Sequence, residues 1–133
     1  MFQKIDHIGY AVRDMNAAIE HYAQSCGYTV SSREILKEKN IELAFLNTGE
    51  TKIELLAGVA DPNPISTFIE KHGEGMHHVC YEVGDIVTEL ARLKALGMTL
   101  IDEKPRPGAH GTIIAFIHPK NFFGVLTEPC QYL

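Results

Sequence analysis

Two histidines and two glutamates carry the most specific chemistry in this sequence. His7 and His78 lie 71 residues apart, and Glu54 and Glu128 lie 74 apart. A nearly constant offset between residues of the same two types is what a duplicated half-site produces. One imidazole and one carboxylate from each half make a two-nitrogen, two-oxygen donor set. That set suits a divalent first-row metal (cobalt, zinc, nickel or manganese), with positions left open for water or substrate. Taken singly, a strand histidine is more often structural than ligating, and a strand glutamate more often meets solvent. A solvated surface gives no reason for both types to recur at equivalent places, whereas a shared ion does.

The surrounding elements repeat as well. Ile5–Val12 alternates as a strand, with Ile8, Tyr10 and Val12 on one face and Ile5, His7, Gly9 and Ala11 on the other. Asp14 is a helix N-cap, Met15, Ala18, Ile19, Tyr22 and Cys26 recur at helical spacing, and Gly27 is the stop. Strand-like runs follow at Tyr28–Glu34, Ile41–Leu46 and Lys52–Leu56. The first half therefore reads βαβββ.

His77–Asp85 then lies over Asp6–Asp14 without a gap, with His, Tyr, Val and Asp matching at 7/78, 10/81, 12/83 and 14/85. Asp85 caps a second helix carrying Ile86, Leu90 and Leu93, which Gly97 ends, and strands are expected at Met98–Ile101, Thr112–Ile117 and Gly124–Glu128. A longer Pro119–Phe123 loop absorbs the three-residue difference between the two offsets. Pro129 lacks an N–H, so the last strand is expected to end or lie at an edge just past Glu128. Between the halves, Asn63-Pro64 opens a short helix bearing Ile65, Phe68 and Ile69. The expected fold is a single α+β domain over 1–133, with module 1 at about 3–57, a connector helix at about 58–74 and module 2 at about 75–131. The two paired βαβββ modules would form a curved mixed sheet around a metal-binding cleft.

Composition narrows the partners. Twelve Lys and Arg against 17 Asp and Glu give a net charge of -5, which argues against nucleic acid. With 45% hydrophobic and 22% charged residues the chain has an ordinary globular balance. No apolar run approaches the ~20 residues needed to span a bilayer, so no membrane partner is expected. Met1-Phe2-Gln3-Lys4 leads straight into the first strand, so no signal peptide is read and a cytoplasmic location is expected. Cys26, Cys80 and Cys130 are scattered without a CxxC pair, which gives neither a disulfide framework nor a thiolate zinc site. Cys80 shares the strand face of His78 and reads as a small buried thiol.

Five stretches carry a resemblance to a known family: DHIGYAV (Asp6–Val12), GETKIELL (Gly49–Leu56), GEGMHHV (Gly73–Val79), EKPRPGAHG (Glu103–Gly111) and HPK (His118–Lys120). Together they span nearly the whole chain. The chain resembles the vicinal oxygen chelate superfamily of glyoxalases, bleomycin-resistance proteins and extradiol dioxygenases, and within it the methylmalonyl-CoA epimerases. The resemblance implies one divalent ion held by His7, Glu54, His78 and Glu128. It implies an acyl-CoA substrate, whose (R) and (S) epimers interconvert through an enolate stabilised by that ion, and it makes a homodimer a possible assembly. Alignment with His7 selects His78 over His77, which sits on the opposite strand face. Glu128 is the first candidate for the catalytic acid/base. A glutamate with the ordinary pKa of ~4.3 is a weak base, so its surroundings must strengthen it.

A second acid/base has two candidates in the residues and one in solvent. The extra glutamate of bacterial-type members falls at Leu43, and the adjacent Glu42 faces the wrong way in a regular strand. Glu82, on the His78 face, and an ordered water are the alternatives. Lys104 to Gly111 reads as a Pro/Gly-stiffened loop whose cations suit CoA phosphates or the malonyl carboxylate, and Lys120 is similar. Two other functions fit the same frame: a glyoxalase-I-like lyase acting on a glutathione hemithioacetal, and a metal-free small-molecule-binding or resistance module. The second needs no retention of both His and both Glu. An extradiol dioxygenase site uses two His and one carboxylate, which leaves Glu54 unexplained.

Overall fold

The computed structural model describes residues 1–133, and the chain divides into two compact units: residues 7–77, and residues 1–6 with 78–133. In the first unit, β1 (Phe2–Ala11) contributes its residues from His7 onward. The helix α1 (Met15–Cys26) starts where Asp14 accepts a hydrogen bond from the Ala17 N–H at 3.0 Å. It stops where Gly27 turns left-handed at φ 76° and donates to the Ala23 carbonyl. The strands β2 (Thr29–Leu36), β3 (Ile41–Asn47) and β4 (Lys52–Gly58) follow, and the order across the sheet is β2-β3-β4-β1. The β2/β3 and β3/β4 pairs are antiparallel and β4/β1 is parallel.

Strand alternation then decides which residues meet which helix. Leu43, Leu56 and Ala11 point to α2 (Pro64–His72) and pack with its Ile65 and Ile69. Ala44, Leu46, Leu55 and Ala57 point the other way, onto Met15, Ile19 and Tyr22 of α1. The connector helix forms as the Asn63-Pro64 pair predicts. The Asn63 carboxamide accepts from the Ser66 N–H at 2.7 Å and donates to the Ala60 carbonyl at 2.9 Å.

The second unit repeats this plan. It contains β5 (Gly75–Val83) from His78 onward, α3 (Ile86–Ala95), β6 (Arg106–Pro107), β7 (Thr112–Ile114) and β8 (Thr127–Tyr132), in the order β5-β8-β7-β6. The corresponding order in the first unit is β1-β4-β3-β2, with the same single parallel pair. Asp85 caps α3 by accepting from the Thr88 N–H at 3.1 Å, and this bond holds its carboxyl below the usual range.

Three strand expectations for this half are corrected. No strand forms over Met98–Ile101, where Leu100 makes one isolated bridge to Ile117. Backbone bonds still cross there, from the His118 N–H to the Thr99 carbonyl at 3.1 Å and from the Ile101 and Asp102 N–H groups to the Phe116 carbonyl at 2.9 and 3.1 Å. The Asp102 carboxylate then accepts from the Phe116 N–H at 2.9 Å and from Arg106 Nε at 3.2 Å. The last strand runs Thr127–Tyr132 instead of Gly124–Glu128, because Pro119–Phe122 forms a 3-10 turn closed by left-handed Phe123 and Gly124. Pro129 neither ends β8 nor lies at an edge; it is fully buried with β5 on one side and β7 on the other. Its missing N–H interrupts the neighbour instead. Beyond Ile114 the Ala115 N–H reaches the Pro129 carbonyl at 3.3 Å with no bond returned, and the Ile117 N–H meets the Thr127 carbonyl at 2.9 Å as an isolated bridge, so β7 stops three residues short of Ile117.

Candidate metal centre

The parallel strand pair in each unit places one histidine and one glutamate side by side. In the first, Gly9 of β1 lies opposite Glu54 of β4, and His7 is two residues before Gly9 on the same face. His7 Nε2 is 3.5 Å from Glu54 Oε1. In the second, Cys80 of β5 lies opposite Glu128 of β8, and His78 is two residues before Cys80. His78 Nε2 is 3.6 Å from Glu128 Oε1. All four residues are buried, with between 2% and 7% of their surface exposed.

Each imidazole also stands T-shaped to a phenylalanine ring, with 87° between the planes: His7 with Phe45 at 5.4 Å and His78 with Phe116 at 5.9 Å. The two phenylalanines are 71 residues apart, the offset of the histidines. That periodicity was available in the sequence, although an aromatic residue in a strand draws no attention by its type.

The chemistry of these pairs fits a cation better than a hydrogen bond. Separations of 3.5 and 3.6 Å exceed the roughly 2.7–3.2 Å of an N–H···O bond. Two ligand atoms each about 2.1 Å from a metal, at angles of 90–110°, stand roughly 3.0–3.4 Å apart. A buried carboxylate also needs a compensating positive charge, and a neutral imidazole supplies none. Two such pairs make the donor set that the sequence offers.

His77 is turned away from its neighbour and rests on Phe68 of α2, ring centroids 4.8 Å apart. Leu43 is buried in the cluster under α2, and Glu42 is on the opposite sheet face, bonded to Arg33 Nε at 2.7 Å. Glu82 shares the strand face of His78 and is opposite Cys130, the second residue after Glu128. It lies four residues past His78 and two past the Glu128 register on β5, where Lys4 approaches it at 3.8 Å. The Arg106 guanidinium, bonded to Asp102, stands 5.2 Å over the ring of Phe116, the same ring that meets His78. Gly108 belongs to the turn before β7, and a Cβ there would stand 2.6 Å from Thr112 Oγ1 and Ile114 Cγ2. The Lys120 N–H donates to the His118 ring at 3.0 Å, and its side chain is exposed. Cys80 is fully buried; bonding to Cys130, burial and the neighbouring Glu128 push its thiol upward, so it is no thiolate nucleophile.

A family model described as the glyoxalase/bleomycin resistance protein/dioxygenase superfamily matches residues 6–116. The chain belongs to this superfamily. The matched stretch includes His7, Glu54 and His78, and Glu128 lies beyond its end. Full-length likeness extends over the last strand. The chain is 37% identical over 130 residues to the ethylmalonyl-CoA/methylmalonyl-CoA epimerase of Cereibacter sphaeroides, covering 96% of this chain and 97% of that one. It is 36% identical over 126 residues to the human mitochondrial methylmalonyl-CoA epimerase, covering 94% and 72%. Among solved structures, a variant of Streptomyces coelicolor methylmalonyl-CoA epimerase in complex with 2-nitronate-propionyl-CoA matches with a TM-score of 0.92 and 31% identity, over 99% of this chain and 96% of that one. These three relatives are named as methylmalonyl-CoA epimerases, the first of them for ethylmalonyl-CoA as well.

Proposed function

We propose that this protein is a metal-dependent methylmalonyl-CoA epimerase in which His7, Glu54, His78 and Glu128 hold one divalent ion. The observation that carries the reading is the repeated diagonal: the same histidine and glutamate, at the same register, on the parallel strand pair of each unit. Cobalt, zinc, nickel and manganese all suit two nitrogen and two oxygen donors. Such an ion supplies Lewis acidity toward the thioester and carboxylate oxygens of the substrate, which makes the C2 hydrogen easier to remove.

The chain's own residues supply the rest. His7 and His78 act as neutral nitrogen donors, their ring planes set by T-shaped packing with Phe45 and Phe116. Glu128 takes the C2 proton from one face. With Leu43 apolar, Glu42 turned away and Glu82 facing Lys4, delivery to the other face is assigned to an ordered water. Arg106 and Lys104 offer cations to the malonyl carboxylate or the CoA phosphates. The single-domain organisation into two modules, the cytoplasmic location and a homodimer belong to the same reading. No helix is long and apolar enough to cross a membrane.

The test is to incubate the metal-loaded protein with one epimer of methylmalonyl-CoA and follow the other by chiral analysis, with the glutathione–methylglyoxal hemithioacetal assayed in parallel. Formation of the second epimer supports the proposal. Turnover of the hemithioacetal alone would move the protein to the glyoxalase-I-like lyases. Turnover of neither would leave the binding-module reading.

A further inference from the structure

Sheet register places Arg106 on the same face as the second histidine–glutamate pair. His78 and Cys80 share a face of β5, and Cys80 is opposite Glu128 of β8. Two residues on, Cys130 is opposite Ile114 of β7, which is in turn opposite Arg106 of β6. Continuing the β7/β8 register by two residues sets Phe116 against Glu128, next to the Ile117–Thr127 bridge. The Arg106 guanidinium lies along this face and stands 5.2 Å over the Phe116 ring. We propose that Arg106 selects a substrate with a free carboxylate on the reacting carbon, by receiving that carboxylate on the two terminal nitrogens of its guanidinium.

The side chain is held on two sides and open on a third. Asp102 accepts from Nε at 3.2 Å, and the same carboxylate oxygen accepts from the Phe116 N–H at 2.9 Å, which ties the guanidinium and the ring to one anchor. Asp102 engages Nε alone, so Nη1 and Nη2 have no protein acceptor. That end of the fork fits a carboxylate with two parallel bonds, a geometry that a lysine ammonium does not reproduce. The Arg106 side chain is 35% exposed, so a ligand can reach it. Lys104, by contrast, is exposed outside the strand and lacks such an anchor. The ring under Arg106 meets His78 and is opposite Glu128, so an anion on Arg106 lies beside the group that takes the C2 proton. In a malonyl thioester the carboxylate is bonded to C2 itself, whereas the CoA phosphates are at the far end of the pantetheine arm. The carboxylate is therefore the anion that fits. This inference rests on the epimerase reading, which supplies both the substrate and the role of Glu128.

Malonyl-CoA and acetyl-CoA differ only in that carboxylate, and neither has a stereocentre at C2. Titration calorimetry of each with the metal-loaded protein therefore reads recognition without net turnover. Arg106→Gln should weaken malonyl-CoA binding about 10–100-fold, as loss of hydrogen bonds between charged groups predicts, and leave acetyl-CoA within about twofold. Arg106→Lys keeps the charge and loses the fork, so its loss should be smaller and still confined to malonyl-CoA. A loss shared equally by both thioesters would put Arg106 on the CoA half, and no loss for either would leave it without a ligand; each result overturns the assignment. A loss confined to malonyl-CoA in Lys104→Gln and absent from Arg106→Gln would overturn it in favour of Lys104. If Arg106→Gln does not fold, Arg106→Lys decides by the same comparison. A wild type that binds malonyl-CoA through Arg106 yet does not interconvert the epimers of methylmalonyl-CoA overturns the functional reading alone. An active epimerase in which Arg106→Gln weakens both ligands equally, or neither, overturns the Arg106 assignment alone.

Discussion

His77 and His78 are adjacent in the chain and face opposite sides of β5, one on Phe68 and the other beside Glu128. His78→Ala should therefore weaken divalent-metal binding by more than about 100-fold, above the range typical of residues that merely support a ligand, while His77→Ala leaves it near wild type. Competition with a chromophoric chelator measures both, and the reverse result would transfer the ligand role to His77. Glu128→Gln keeps the side-chain volume and removes the base. It should lower epimerisation by roughly 10²–10⁴-fold with little change in melting temperature. Unchanged turnover would exclude Glu128 as the base. The four charged or ligating residues were legible because their types are rare in strands and their offsets nearly match. Phe45 and Phe116 were not, because nothing in their type marks a half-site until the register is known.

At the scale of elements, the helix starts were legible to the residue, since Asp14, Asn63 and Asp85 each place a side-chain oxygen on a backbone N–H three residues on. Asn63 does the most, bonding Ser66 and Ala60 from a buried position. Asn63→Ala should lower the unfolding free energy by about 1–2 kcal/mol, read by urea denaturation. Glu89 on α3 gives a pH signature. Burial alone would raise its carboxyl, but the N-terminal ammonium and Arg92 beside it outweigh burial and hold it below the usual range. A depressed carboxyl contributes stability that is present above its unfolded value of about 4.3 and is lost as pH falls through the folded value. Glu89→Gln should thus flatten the acid limb of stability against pH, and an acid limb identical to wild type would contradict the pairing. The strands of the second half were the least legible. They are shortened where the Asp102 carboxylate takes the Phe116 N–H and where Pro129 offers no donor opposite Ala115, neither of which alternation in the sequence encodes.

For the whole molecule, the duplication read from nine aligned positions is matched by equal strand order and one parallel pair in each unit. That equivalence is why the histidine and glutamate of each half arrive in the same local geometry. The net charge of -5 and the superfamily membership agree with a small-molecule substrate in place of nucleic acid. The most direct test of metal-assisted proton transfer at this site is exchange of the C2 hydrogen of methylmalonyl-CoA for deuterium, followed by mass spectrometry in heavy water. Exchange that is rapid with cobalt- or zinc-loaded protein, falls to background after chelation and returns on reloading is the predicted result. No exchange above background with the loaded protein, or a rate that chelation leaves unchanged, would contradict it.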